Sequence, residues 1–129
     1  MNILIADDDR VTAAAIAGRL KAAGYQTSVA FDSMQALMMV TRNAPDAVVL
    51  DVNMPGGSGI QTLQRMKASS KTSHIPVIVL TGSADPELPE KVRALGADDF
   101  LSKPVDFKKL AELLARLTGQ PERPPQVTG

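Results

Sequence analysis

The 129-residue sequence predicts an α/β fold with a single doubly wound, five-stranded parallel sheet and five helices. Three observations carry that expectation. Short apolar, β-branched runs alternate with stretches of helical spacing along the chain. The runs are apolar at successive positions, as in strands buried on both faces. Polar residues collect just after the runs instead of within them.

The strand runs are Ile3–Ala6, Thr27–Ala30, Ala47–Leu50 and Val77–Leu80, with a weaker one at Phe100–Leu101. Between the first two, Ala13, Ile16, Leu20 and Ala23 give a helical stripe that Gly24 ends. Met34, Leu37 and Met38 repeat the spacing in a second helix stopped by Pro45, and with Met39 they read as core filling, as do Met54 and Met66. Ser58 or Gly59 opens the third helix. The fourth carries Leu88, Val92 and Leu95, with Pro86 suited to its first turn and Gly96 at its end. Asp106 is the N-cap expected for a fifth helix with Phe107, Leu110, Leu114 and Leu117 on one side. Residues 1–118 therefore read as one domain, and the Pro-rich residues 119–129 as a tail or the start of a linker.

Composition narrows the function. Fourteen Lys and Arg offset fourteen Asp and Glu, which argues against a direct nucleic-acid partner or an anionic membrane surface. Lys108-Lys109 is too short and too close to acids to alter that. The absence of Cys excludes a disulfide scaffold, a thiolate zinc site and a thiol nucleophile. No basic and apolar leader opens the sequence, and no apolar run approaches the ~20 residues of a membrane span, so a cytoplasmic location is expected.

In open parallel sheets ligands bind beyond the carboxyl ends of the strands, where the strand order reverses. The polar residues expected there are Asp7, Asp8 and Asp9 after the first strand and Asp51 after the third. Thr81, Gly82 and Ser83 follow the fourth, and Ser102, Lys103 and Pro104 the fifth. Taken singly, each has a plain explanation: acids cap helices, Thr81 ends a strand, Lys103 is a solvated charge. Taken together, Asp7, Asp8 and Asp51 would repel one another unless a cation lay between them. Carboxylates without His or Cys favour a hard ion, Mg²⁺ above all. A lysine and a hydroxyl opposite such an ion suit a transferring phosphoryl group.

Four segments carry a resemblance: Ile3–Asp9, Val48–Gly59, Ile75–Gly82 and Gly96–Pro104. In order and spacing they resemble the receiver domain of two-component response regulators, over about residues 1–118. The resemblance implies a flavodoxin-like sheet in the order 2-1-3-4-5. It implies Asp51 as phospho-acceptor, with the phosphoryl group supplied by a sensor histidine kinase or a phosphotransfer protein. Asp7, Asp8, Asp51 and the backbone carbonyl of Asn53 would hold Mg²⁺. Lys103 would hold a phosphate oxygen, Thr81 and Phe100 would form the switch, and Lys103–Pro104 would be a cis bond that aims the lysine into the crevice. An output partner or a second copy of the phosphorylated chain would dock on the fourth helix, fifth strand and fifth helix, through charges such as Lys91, Asp98, Glu112 and Arg116. Phe100 stands where the family often has Tyr, Gly82 where Ala is common and Ser58 where Asp is frequent.

Two other functions compete with a phosphorylation-operated switch. A Mg²⁺-dependent phosphatase with an aspartyl-phosphate intermediate would want an acid two residues past the nucleophile, where this chain has Asn53. A docking module that is never phosphorylated would not need Asp8, Asp51, Thr81 and Lys103 together. His74, the single histidine, reads as an exposed loop residue.

Overall fold

In the computed structural model, residues 1–53, 59–82 and 86–119 are described. The apolar runs form five strands: β1 (Asn2–Ala6), β2 (Gln26–Ala30), β3 (Ala47–Asp51), β4 (Val77–Thr81) and β5 (Asp99–Ser102). All pairings are parallel and the strand order is β2-β1-β3-β4-β5. β3 and β4 are buried along their whole length, which explains their unbroken Val, Ile and Leu content. β2, at one edge, is only half buried and accordingly more polar. Asp51 and Thr81 are the last residues of their strands and not the first residues beyond them.

Side chains alternate between two cores. Leu4, Val48, Leu50, Val77 and Val79 pack beneath α2 (Ser33–Asn43), α3 (Gly59–Ala68) and α4 (Leu88–Ala94). Ile3, Ile5, Val49, Ile78 and Leu80 pack beneath α1 (Arg10–Ala22) and α5 (Phe107–Thr118). Asp9, Asp32 and Asp106 cap α1, α2 and α5, each accepting backbone N–H groups of the first turn.

Three expectations need correction. Met34 and Met38 are exposed, at 76% and 46%, whereas Met39 is half-buried against the core as expected, and α2 buries Ser33, Ala36 and Val40. Five successive apolar residues, Ala36–Val40, surround most of that helix, so spacing alone could not choose the inner face. Pro89, not Pro86, occupies the first turn of α4, where its missing N–H is harmless. Asp98 is drawn into an ion pair with Lys67 of α3, and its neighbour Asp99 joins Arg93 of α4 to Arg116 of α5. Met66 is buried as expected and His74 is exposed, whereas Met54, Ser58 and Ser83 lie outside the described residues.

The register sets the site. Ala6 pairs with Leu50, so the next residues, Asp7 and Asp51, arrive side by side where the strand order reverses. Asp51 pairs with Leu80, and Thr81 with Ser102, so Thr81 and Lys103 each lie one step further along the same edge.

Candidate functional site

Asp7 and Asp51 are held by the same local arrangement. The Oδ1 of Asp7 accepts the Asp9 N–H at 2.9 Å, and the Oδ1 of Asp51 accepts the Asn53 N–H at 2.9 Å. Each turn thus fixes a carboxylate against its own backbone two residues on. The second oxygens point to a shared cation: Lys103 Nζ lies 3.0 Å from Asp7 Oδ2 and 3.1 Å from Asp51 Oδ2. The lysine follows β5, whose ladder continues through the Lys103 N–H to the Thr81 carbonyl at 2.8 Å, and the Lys103–Pro104 bond is cis.

Burial makes this cluster electrostatically costly. Asp7 is fully buried and Asp51 is 3% exposed, while Asp8 is exposed at the rim. Burial pushes the Asp7 carboxyl above its ordinary value. The Asp9 N–H and the adjacent Lys103 ammonium oppose that, and the neighbouring Asp51 charge reinforces it. For Lys103, burial disfavours the charge, but close contact with the Asp7 and Asp51 carboxylates and their negative charge outweighs it, so its pKa is raised. Asp9, outside the cluster, is held below the usual carboxylate range by the Thr12 hydroxyl and by the Thr12 and Val11 amides.

The residues fit a hard divalent cation. One carboxylate oxygen each from Asp7, Asp8 and Asp51 lies within 4.8 Å of the others. Asp7 Oδ2 is buried and close to Lys103, yet the approach lacks hydrogen-bond alignment, so this oxygen keeps unused acceptor capacity. The cluster contains only oxygen donors, and three carboxylates against one ammonium leave a net charge of −2.

The structure brings Asp7, Asp8, Asp51 and Lys103 together, and places Asn53 against Asp51 through its N–H. Thr81 is fully buried at the end of β4. Phe100 is half-buried on β5 opposite Val79 and packs on the core beneath α2, α3 and α4. Gly59, expected from the sequence only as a possible start of the third helix, also supports the site. A Cβ on Gly59 would collide with the Asp51 carbonyl oxygen and Val52 Cα, so the start of α3 rests directly on the backbone of Asp51. The available signal was a glycine eight residues after the aspartate at a helix start, which spacing alone does not distinguish from a turn glycine.

Comparison with known proteins agrees with this geometry. The family model for the response regulator receiver domain matches residues 3–115. Response regulator MprA of Mycobacterium leprae (strain TN) is 40% identical over 119 residues, which cover 91% of this chain and 49% of that protein. The chain thus spans about half the length of the mycobacterial relatives it matches. The receiver domain of the Francisella response regulator 1452 superposes with a TM-score of 0.85 at 31% identity, covering 92% of this chain and 96% of that one. The receiver domain of the sensor histidine kinase PA1611 from Pseudomonas aeruginosa PAO1 was solved with a magnesium ion coordinated in its active-site cleft. It superposes with a TM-score of 0.84 at 28% identity, covering 92% of this chain and 98% of that one. With its fold and most of its length matched in this way, the chain belongs to the response regulator receiver domain family of two-component systems.

Proposed function

We propose that this chain is a phosphorylation-operated switch in which Asp51 accepts a phosphoryl group from the phosphohistidine of a sensor histidine kinase or phosphotransfer protein. The observation that carries the reading is the Lys103 ammonium held between Asp7 Oδ2 and Asp51 Oδ2 beside a three-carboxylate cluster. Nothing in the packing of an α/β domain requires that much negative charge at a strand end.

A carboxylate oxygen of Asp51 attacks phosphorus while the phosphorus–nitrogen bond to the donor imidazole breaks, leaving an acyl phosphate on the chain. The Asn53 N–H fixes the carboxylate, and Lys103 holds a negative charge on the incoming group. Asp7, Asp8, Asp51 and the Asn53 carbonyl would hold Mg²⁺, which supplies charge neutralisation for the carboxylates and the phosphoryl oxygens. The Thr81 hydroxyl then donates to a phosphoryl oxygen. Its shift, with Phe100 on the neighbouring strand, biases the segment between β4 and β5 toward a second arrangement. The charge of the acyl phosphate is thereby read on α4, β5 and α5, where Asp99 already ties Arg93 to Arg116. An output partner or a second copy docks on that face.

The chemistry is confined to self-catalysed transfer and slow loss of the phosphoryl group. A phosphatase would want an acid at the position of Asn53. No helix among the described residues is long and apolar enough to cross a membrane, in keeping with a cytoplasmic role.

Incubation with Mg²⁺ and a small acyl-phosphate donor, followed by intact mass measurement, tests this function. The expected result is one labile phosphoryl adduct, absent in Asp51→Asn and absent without Mg²⁺. Repeated turnover of unrelated phosphate esters would favour the phosphatase, and no adduct under any condition would defeat the switch.

A further inference from the structure

The methionines that leave the core of α2 gather on one surface. Met34 and Met38 stand one turn apart, and Leu37 and Thr41 continue the same stripe toward α3. There the helices enclose an open groove of about 240 Å³, with Leu37 and Thr41 on one wall and Arg65, Met66 and Lys71 on the other.

The charge around this stripe is of one sign. Arg42 follows Met38 by one turn, so cations flank the apolar side chains on both sides. Arg42, Arg65 and Lys71 are exposed, and none forms an ion pair among the described residues. Neither α2 nor α3 contains an Asp or Glu. The acids at the two ends of α2 are engaged: Asp32 accepts the Gln35 N–H, and Asp46 accepts the Asn2 N–H at 2.7 Å. In a chain whose formal charge is zero, this face has concentrated positive charge around exposed apolar side chains.

We propose that the α2–α3 face is a docking site for an acidic amphipathic segment of a partner protein. Its apolar side chains would seat on Met34, Met38 and the groove, and its carboxylates on Arg42, Arg65 and Lys71. Methionine is suited to the task because its flexible thioether repacks against differently shaped partners. The concave groove favours a peptide over a bilayer, since a membrane-lying helix offers a broad convex apolar face. The site is independent of the phosphoryl chemistry: it lies on α2 and α3, away from α4, β5 and α5, and binding is expected for the unmodified protein and for Asp51→Asn alike.

The test uses the full chain with labelled backbone amides and methionine methyl groups, titrated in NMR with three probes. These are a synthetic helical peptide with leucines on one face and glutamates on the other, its lysine-for-glutamate counterpart, and phosphatidylglycerol vesicles. The acidic peptide should shift the Met34 and Met38 methyl signals and bind more weakly as salt rises. Its affinity should fall about tenfold or more in Arg65→Glu/Lys71→Glu and in Met34→Gln/Met38→Gln, substitutions at exposed or groove-lining positions that leave the amide spectrum of the fold in place. Equal binding of the basic peptide, stronger binding of vesicles, shifts confined to α4, β5 and α5, burial of Met34 by self-association, or no shift at all would each overturn the proposal.

Discussion

Each end of the parallel sheet carries a lysine that reaches an aspartate on another element, yet the two ends are built for different purposes. At the carboxyl end, Lys103 serves Asp7 and Asp51 at once, Asp8 stands at the rim, and negative charge remains in excess. At the amino end, Lys67 donates to the Ser73 and Ile75 carbonyls at 3.1 and 2.9 Å and pairs with Asp98 at 3.5 Å. Asp98 in turn accepts the Val77 N–H at 2.8 Å. There the charges balance and the donors and acceptors are matched, so the arrangement clamps α3 to the start of β4. An unbalanced cluster is available for a ligand, whereas a balanced one is available only for stability.

The largest effect that would sharpen this contrast concerns the backbone at the carboxyl end. Gly59→Ala places a methyl group against the Asp51 carbonyl and Val52 Cα, so the backbone must shift, at a cost of about 2–3 kcal/mol. Urea unfolding measures the loss, and the rate of adduct formation should fall with it because Asp51 is displaced. Lys67→Met comes next: it leaves two carbonyls and Asp98 without their cation and should cost about 2 kcal/mol. The same variant should still form the Asp51 adduct, and a loss of adduct in a folded Lys67→Met protein would break the division between the two ends.

A smaller effect has opposite signs at the two ends. Asp8→Asn relieves repulsion and should raise the stability of the metal-free protein by about 0.5 kcal/mol, while reducing the further stabilisation that Mg²⁺ gives. Asp98→Asn removes a charge from a balanced clamp and should lower stability by about 1 kcal/mol, with the Mg²⁺ response unchanged. Paired melts with and without Mg²⁺ read both, and equal signs would contradict the comparison. The smallest effect is local. Ala44 ends α2 with φ 35°, a left-handed conformation that favours glycine, so Ala44→Gly should stabilise by about 0.5 kcal/mol.

The site was legible in the sequence to the extent that it depends on strand ends. Parallel strands of nearly equal length deliver their following residues to one edge, so Asp7, Asp51, Thr81 and Lys103 could be assigned to a common crevice before any contact was known. The caps at Asp9 and Asp106 were equally readable because the side-chain and backbone groups involved are neighbours in the chain. The strand order and the roles of single residues came from family resemblance, since alternating elements alone do not order a sheet. The inner face of α2 was hidden by apolar residues around most of its circumference. The Lys67–Asp98 clamp was hidden because it joins residues far apart in sequence at the end of the sheet where no ligand site is expected. Gly59 was visible as a glycine, but its close approach to Asp51 is a property of packing.

The central claim is that the excess negative charge at the carboxyl end serves a phosphoryl acceptor at Asp51. Borohydride reduction of the protein after treatment with Mg²⁺ and an acyl-phosphate donor tests it most directly, because reduction turns an aspartyl phosphate into homoserine that peptide mass mapping can place. Homoserine at position 51 alone, lost when Mg²⁺ is chelated, is the predicted result. Homoserine at Asp7, Asp8 or another acid, or none in protein that remains folded, would contradict it.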